Sequence, residues 1–319
     1  MLWEAMIIND HSKCEDTYTA SKAYLETNPD LHERLSIHLR AYDEIGDLIP
    51  QTLDNILSGH YFPYSESYYE LENSYELALQ GFYTYAFVAL RSVLELGLLG
   101  VYFAVHDTEH VDVRPWMTSQ ERTPRRKEIF HRLRELVPFE EFNRQFDFEK
   151  RILDTFDNLD RFVHTRGYRY SSSALTLSNF NQFSDKSLRR YCDSMVSVVT
   201  DLIIAMLLKY PIGMQELFIT EKFGLNGPVG GFFEAHQVTF VTSLVHPDER
   251  AFLQRLSGEN PDVEQTVEYF RSLPDLTEEE WQRQAKQQRR DYGGDGADKK
   301  HKKHDGVYQV HPNVHCDEQ

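Results

Sequence analysis

Apolar residues recur at intervals of three or four positions along most of the chain, which is the spacing of one face of an α-helix. The runs that show this spacing most clearly extend over residues 31–58, 66–105, 148–164 and 185–210. Pro50 lies inside the first run, where it predicts a kink or a division into two helices. The pattern as a whole predicts a mostly α protein.

The run over 66–105 predicts one long helix, and its second half is apolar enough to resemble a membrane span. Arg91 and Glu95 lie in the middle of that half. A charge costs about 2.5–3.5 kcal/mol at a membrane centre, so the pattern favours a buried core helix and no membrane span. Arg before Glu is the less favourable order for a pair within one helix, so we expect both side chains to be largely buried and bonded to other helices. The other face of this helix consists mostly of small residues, which let another helix approach closely. They are Ala86, Ala89, Val93, Gly97 and Gly100.

Beyond Pro211 the apolar runs become shorter. A glycine-rich segment at 224–231 has neither the Lys-Ser/Thr pair of a phosphate-binding loop nor the glycine spacing of a dinucleotide-binding turn. Residues 237–245 are rich in β-branched side chains and fit a strand or a buried helix equally well. Short helices are expected after this segment, over 247–257, 261–272 and 277–290.

These patterns divide the chain into four segments. An N-terminal helical extension is predicted for residues 1–65, a helical bundle for 66–210 and a small, mostly helical appendage for 211–290. Apolar residues nearly vanish beyond it, so residues 291–319 are predicted to be disordered. Side chains in this tail are soft ligands for zinc or nickel, although their spacing matches no zinc module and a solvated tail is the competing interpretation. They are His301, His304, His311, His315 and Cys316.

The chain is acidic, with 34 Lys and Arg against 51 Asp and Glu and a net charge of −17. This balance argues against a protein that coats nucleic acid non-specifically, although a small basic pocket stays possible. Three scattered cysteines, Cys14, Cys192 and Cys316, do not form a disulfide framework. The first residues lack the basic region of a secretory signal. Together these features predict a cytoplasmic protein.

Basic residues crowd one part of the chain, between 122 and 134. They suit contact with RNA or another phosphate ligand. The acidic residues interleaved with them suit a solvated helix face instead, and the sequence leaves both interpretations open. The basic residues are Arg122, Arg125, Arg126, Lys127, Arg132 and Arg134, and the acidic ones are Glu121, Glu128 and Glu135.

The best indication of function lies at the end of the third apolar run. Residues three or four apart are neighbours on a helix, so the apolar side chains of this run share one face. Four polar residues share another face, namely Asp157, Asp160, Arg161 and His164. Gly167 is a plausible stop signal for this helix.

Two interpretations of this polar face stay open. In the first, His164 acts as a general acid or base, because an imidazole gains and loses a proton near neutral pH. Asp160 orients it, and Arg161 and Arg166 hold a phosphate without a metal or cofactor. In the second, Asp160 pairs with His164 and Asp157 pairs with Arg161 where two helices meet.

Residues 89–95 (Ala-Leu-Arg-Ser-Val-Leu-Glu) and 159–167 (Leu-Asp-Arg-Phe-Val-His-Thr-Arg-Gly) resemble the HEPN superfamily of helical bundles. The resemblance covers roughly 66–210 and implies a bundle of four or five helices that usually forms a homodimer. In the catalytic branch of the family, an Arg and a later His with four to six residues between them cut RNA without a metal at the dimer interface. Many members act in toxin–antitoxin and phage-defence systems, so an antitoxin or defence protein is an implied partner.

Carried over onto this chain, the family motif is incomplete. His164 matches the motif His, but positions 157–159 hold Asp-Asn-Leu where the motif Arg is expected. The resemblance therefore implies a HEPN-like module that binds RNA, a nucleotide or a protein partner, in bacterial defence or stress response. The alternative is a metal-independent ribonuclease toxin that uses His164 with Arg161 or Arg166. Three further residues are expected to contact substrate or to form a polar core, namely Arg91, Glu95 and Asn158.

Overall fold

The structure, a computed structural model, describes residues 11–106, 109–164, 166–171, 182–228 and 230–292. Over these residues the protein is all-α, with 15 α-helices and no strand, which confirms the predicted class. The helices are α1 (His11–Thr27), α2 (Pro29–Glu44), α3 (Leu53–Ser58), α4 (Tyr61–Leu79), α5 (Tyr83–Ala104), α6 (Val113–Met117), α7 (Arg126–Leu133), α8 (Val137–Phe146), α9 (Phe148–Val163), α10 (Asp185–Lys209), α11 (Ile219–Phe223), α12 (Ala235–Thr242), α13 (Pro247–Gly258), α14 (Pro261–Ser272) and α15 (Glu278–Tyr292).

Helices α5 and α10 form the centre of the molecule, because most of their side chains are apolar and buried. α5 packs against α4, α9 and α10, and α10 also packs against α2. At Gly97 the α5 backbone lies so close to its neighbours that a Cβ atom would be 2.7 Å from the methyl carbons of Leu202 and 3.0 Å from the hydroxyl of Tyr42. Both central helices are long and apolar enough to cross a membrane, and most of their residues are buried inside the protein.

The first half of the chain is divided differently from the prediction at two points. The run over 31–58 is split around Pro50 into α2 and α3, as the sequence allowed. The run over 66–105 is two helices, because Gly81 adopts a φ of +81° between α4 and α5 and ends the first of them. α4 already begins at Tyr61, so the predicted domain boundary after residue 65 lies inside a helix.

The N-terminal helices share the core of the bundle. Leu25 of α1 and Leu35 of α2 are buried in the same apolar cluster as the side chains of α5. Ser67 of α4 donates a hydrogen bond to the carbonyl of Val93 at 2.7 Å and also hydrogen-bonds the Tyr42 hydroxyl of α2. Helices α2, α4 and α5 are therefore connected by polar as well as apolar contacts.

The C-terminal appendage contains a second, small apolar cluster. Its buried members are Leu217, Ile219, Val263, Val267 and Phe270. The segment that fitted a strand or a helix equally well contains helix α12, and the three short helices expected after it are α13, α14 and α15. Residues 291 and 292, where the predicted disordered tail begins, belong to α15. The rest of that tail and its candidate metal ligands lie outside the described residues.

A charged cluster joins the appendage to the bundle. Arg151 of α9 donates from Nε to Asp201 of α10 at 2.8 Å, and its Nη1 donates to Glu249 of α13. Only 3% of Asp201 and 6% of Glu249 is exposed. Burial raises the pKa of Asp201 to about 6, against the opposing effects of Arg151 and Thr155.

Candidate functional site

Asp160 of α9 is the centre of an ion-pair cluster between three helices. Its Oδ1 accepts a hydrogen bond from Nε of Arg91 on α5 at 2.8 Å, and its Oδ2 accepts one from Nη2 of Arg126 on α7 at 2.6 Å. Burial raises the pKa of Asp160, but the hydrogen bonds from the two arginines outweigh burial and lower it. The carboxylate that was expected to orient His164 thus holds α5, α7 and α9 together.

The expectation for Arg91 and Glu95 is correct only in part. Arg91 contacts α9 through Asp160, as expected, but 25% of the Arg91 side chain and 26% of the Glu95 side chain stay exposed. Nη1 of Arg91 also donates to Oε2 of Glu95 at 2.7 Å, so the expectation of a partner on another helix was wrong for Glu95. The reason is the planar guanidinium fork, which presents separate N–H groups to two carboxylates at once.

α9 ends at Val163, and His164 occupies the C-cap position with an exposed imidazole. Within the described part of the chain, this imidazole has no hydrogen bond, ion pair or ring contact. Asn158 and Arg166 are exposed as well. Gly167 lies four residues beyond the end of the helix, where its φ of +78° permits a change of chain direction.

The short turn after this glycine, Tyr168–Tyr170, brings three arginines around one tyrosine ring. Nη1 of Arg161 donates to the Tyr170 hydroxyl at 3.0 Å, and this hydrogen bond lowers the pKa of Tyr170. The guanidinium carbon of Arg190, near the start of α10, lies 5.2 Å from the ring centroid, and that of Arg169 lies 6.0 Å from it. We name Arg161, Arg169, Arg190 and Tyr170 the Tyr170 cluster.

A stack of aromatic rings positions Arg190. Phe87 of α5 and Phe162 of α9 are stacked, with ring centroids 3.9 Å apart and ring planes 10° from parallel. The guanidinium of Arg190 lies 4.6 Å from the Phe162 ring, which also contacts Tyr170 edge-on at 5.3 Å. Burial lowers the pKa of Arg190, and repulsion by the two other arginines of the cluster lowers it further.

The Tyr170 cluster carries positive charge that no described carboxylate neutralises, because none of its three arginines forms an ion pair with a described residue. The sequence has no Asp or Glu between Asp160 and Asp185. Arg166 and Tyr168 lie next to the cluster in the chain, and both are exposed, Tyr168 to 69%. On an acidic chain, this surface is a local site of attraction for an anion.

The basic run at 122–134 has a different role. Four of its arginines pair with carboxylates: Arg122 with Glu128, Arg126 with Asp160, Arg132 with Asp112, and Arg134 with Glu149. The geometry therefore favours a structural role for this run over contact with RNA. No group of three or more His, Cys, Asp or Glu side chains suited to a metal ion occurs among the residues that the structure describes.

The sequence located the end of α9 as the candidate site but missed most of the Tyr170 cluster. Arg161 was identified, whereas Arg169, Tyr170 and Arg190 were not. A signal for the first two is present in the sequence, because a Tyr-Arg-Tyr turn lies in a stretch without acidic residues. Arg190 has no such signal, because only the packing of α10 against α5 and α9 brings it to the turn.

Comparison with protein-family models, curated proteins and solved structures finds no match to this chain. The resemblance to HEPN bundles therefore rests only on the residues quoted above, and it stays a prediction. The function has to be inferred from the chemistry of the Tyr170 cluster and of the end of α9.

Proposed function

We propose that this protein is a helical module that binds single-stranded RNA, and that the Tyr170 cluster with Arg166 and Tyr168 is its contact surface. The supporting observation is the set of three guanidinium groups around one tyrosine ring, without an ion-pair partner among the described residues. Guanidinium groups bind phosphate oxygens through two parallel hydrogen bonds. Unpaired bases stack on aromatic rings and on guanidinium planes, so this surface offers both kinds of contact.

A single strand suits this surface better than a duplex does. The cluster is small, and the rest of the chain is acidic enough to repel a long, regularly charged rod. A duplex also keeps its bases stacked inside, where Tyr168 has no access to a base face. A flexible strand brings one or two phosphates to the arginines and leaves its bases free to stack.

The first test is the affinity for a short, fluorescently labelled RNA strand, measured by fluorescence anisotropy. Arg169→Gln removes one exposed guanidinium of the cluster, and we expect roughly tenfold weaker binding. A hydrogen bond to a charged group contributes about 1.5–3 kcal/mol, and 1.4 kcal/mol corresponds to a factor of ten. The control is Arg250→Gln, which makes the same charge change at an exposed arginine of α13. Equal losses in the two variants would mean that the cluster is not the contact surface.

The stacking part of the proposal has its own pair of variants. Tyr168→Phe keeps the exposed ring and removes only the hydroxyl, so we expect RNA affinity to change less than twofold. Tyr168→Ala removes the ring, and the loss of one stacked base, about 1–3 kcal/mol, should weaken binding by roughly tenfold. If both variants bind like the wild type, the base does not stack on this residue.

A metal-independent ribonuclease is the second candidate, because the exposed imidazole of His164 lies at the end of the same helix. In this proposal a homodimer forms the cleft, the ribose 2′-OH attacks the adjacent phosphorus and His164 accepts its proton. The bond from phosphorus to the 5′-oxygen of the next nucleotide breaks, and that oxygen leaves as a 5′-hydroxyl after it takes a proton from solvent. Arg161 or Arg166 then stabilises charge on the phosphoryl oxygens. We rank it second because positions 157–159 hold no Arg and the Asp160 carboxylate, which was expected to orient His164, is engaged by two arginines.

The ribonuclease proposal is tested by expressing the wild type and His164→Ala and comparing growth and the integrity of total RNA. An enzyme of this kind leaves 2′,3′-cyclic phosphate ends in the presence of EDTA, and the variant should be slower by about 10²–10⁴-fold. Intact RNA with purified wild-type dimer, together with retained RNA binding, would exclude the enzyme and leave the binding module.

A further inference from the structure

The Tyr170 cluster contains more cations than one internucleotide phosphate balances. A phosphodiester inside an RNA strand carries one negative charge, whereas a terminal phosphate monoester carries about −1.5 to −2 at neutral pH and has three acceptor oxygens. Three guanidinium groups lie within 6.0 Å of a single ring centroid, and their three positive charges are balanced better by the monoester than by the diester. We infer that the Tyr170 cluster binds the terminal phosphate monoester of an RNA strand, which deepens and rests on the RNA binding proposed above.

The Tyr170 hydroxyl marks where such an anion fits. Arg161 donates to this hydroxyl at 3.0 Å, and the guanidinium carbon of Arg190 lies 5.2 Å from the centroid of the same ring, so two guanidinium groups are close to one neutral phenol. A phenol oxygen offers them little negative charge. A phosphate that lies beside it accepts from both arginines and from Arg169 at the same time, because its oxygens point in different directions.

The guanidinium of Arg190 is positioned before any ligand arrives. It is in contact with the Phe162 ring, which is itself stacked on Phe87. Packing against these rings already orders the Arg190 side chain. Binding an anion therefore costs less side-chain entropy than it does at an exposed arginine that is not packed. The three positive groups repel one another, and a dianion relieves this repulsion more completely than a monoanion does.

A strand end also suits the surroundings of the cluster. The exposed ring of Tyr168 lies in the same short turn as Tyr170 and offers a face for the terminal base. A terminal phosphate is bonded to only one nucleoside, so it is accessible to several arginines. An internal phosphate is flanked by two nucleosides, which hinder the approach of three guanidinium groups.

The test is competition against an internally labelled RNA strand bound to the full-length protein. Unlabelled strands of one sequence compete, and they differ only in their ends: 5′-hydroxyl or 5′-phosphate, and 3′-hydroxyl or 3′-phosphate. We expect a phosphate at one end to improve competition at least tenfold. AMP and adenosine are added as a separate pair, to distinguish a strand end from a free mononucleotide.

The same competition with Arg161→Gln and Arg169→Gln tests whether the preference for a terminal phosphate arises from the Tyr170 cluster. We expect the preference for a terminal phosphate to shrink to less than threefold in both variants and to stay unchanged in Arg250→Gln. Arg169 is exposed, so its variant keeps the test informative even if Arg161→Gln unfolds. A thermal melt of each variant confirms folding.

The outcomes separate the two proposals. If all strands bind and their ends make no difference, the terminal-phosphate inference is overturned and RNA binding stands. If no strand binds, RNA binding itself fails. If AMP competes as well as the phosphorylated strand, the ligand is a mononucleotide, and the assignment to an RNA end is overturned. If the preference for a terminal phosphate persists in both Arg161→Gln and Arg169→Gln, the phosphate binds at another site on the protein and the inference is overturned.

Discussion

Asp160 and Arg161 are neighbours in the chain yet belong to different clusters. One residue turns an α-helix by about 100°, so consecutive side chains point in clearly different directions. Asp160 meets the arginines of α5 and α7, whereas Arg161 meets Tyr170 beyond the end of the helix. At the scale of single residues, the polar face of α9 therefore separates into a structural part and a part available to a ligand.

The structural part is tested by Asp160→Ala. This change removes the carboxylate that two arginines share, so we expect the free energy of unfolding to fall by about 2–3 kcal/mol, with some allowance for partial exposure. Urea denaturation measures it. Asp157→Ala, at an exposed position of the same helix, should change the free energy of unfolding by no more than about 0.5 kcal/mol. Equal effects of the two changes would contradict the assigned role of Asp160.

A second residue-scale prediction concerns Asp201. Its folded pKa of about 6 lies above the value near 4 of an unfolded chain, so the folded state binds the proton more tightly. The contribution of Asp201 to stability is therefore fully present below pH 4 and falls as the pH rises from about 4 to about 6.

Asp201→Asn removes this titration. The free energy of unfolding of the variant relative to the wild type should rise by about 2–3 kcal/mol between pH 4 and pH 7. Urea denaturation at a series of pH values gives the profile. Asp193→Asn, at an exposed position of the same helix, is the control and should leave the profile unchanged. Parallel profiles for wild type and Asp201→Asn would show that Asp201 does not titrate in this window.

At the scale of elements, the close packing of α5 determines at which positions a larger side chain would destabilise the bundle. Gly97 leaves no room for a methyl group between α5, α10 and α2, whereas a Cβ atom at Gly100 would meet Tyr64 at 3.6 Å, an ordinary contact distance. These two glycines lie one turn apart on the same helix. They differ in the space around them and share the same low helix propensity.

Replacing each glycine by alanine separates the effect of steric room from the effect of helix propensity. Gly100→Ala should stabilise the protein by about 0.5–1 kcal/mol, since alanine favours the helix and fits. Gly97→Ala gains the same propensity but forces Leu202 and Tyr42 to move, so it should be about 1–3 kcal/mol less stable than Gly100→Ala. Chemical denaturation of both variants gives the difference. Equal stability would mean that the α5–α10 contact is looser than the distances indicate.

Periodicity predicted the elements better than it predicted their ends and their partners. The apolar face of α9 and the small face of α5 follow directly from spacing along the chain. The break at Gly81 does not, because a single glycine in a helical pattern ends a helix only when the tertiary structure holds it at positive φ. The pairing of Arg91 with both Glu95 and Asp160 depends on the position of α9, which local sequence does not contain.

At the scale of the whole molecule, charge is distributed unevenly. The chain carries a net charge of −17, and many arginines of the bundle are engaged by carboxylates, including Arg91, Arg126, Arg134 and Arg151. The three arginines of the Tyr170 cluster have no such partner among the described residues. An anionic ligand is therefore attracted to the Tyr170 cluster and repelled by the rest of the protein surface. The protein can select one binding site for an anion although its surface as a whole is acidic.

The dependence of RNA affinity on salt concentration tests this account most directly. Each phosphate that is neutralised on a single strand contributes about −0.7 to the slope of log K against log salt, so the one or two phosphates at the cluster predict a slope of about −0.7 to −1.4. Arg169→Gln should make the slope shallower, and Arg250→Gln should leave it unchanged. An affinity that does not depend on salt, or a slope that changes equally in both variants, would contradict the central claim that the Tyr170 cluster binds RNA phosphate.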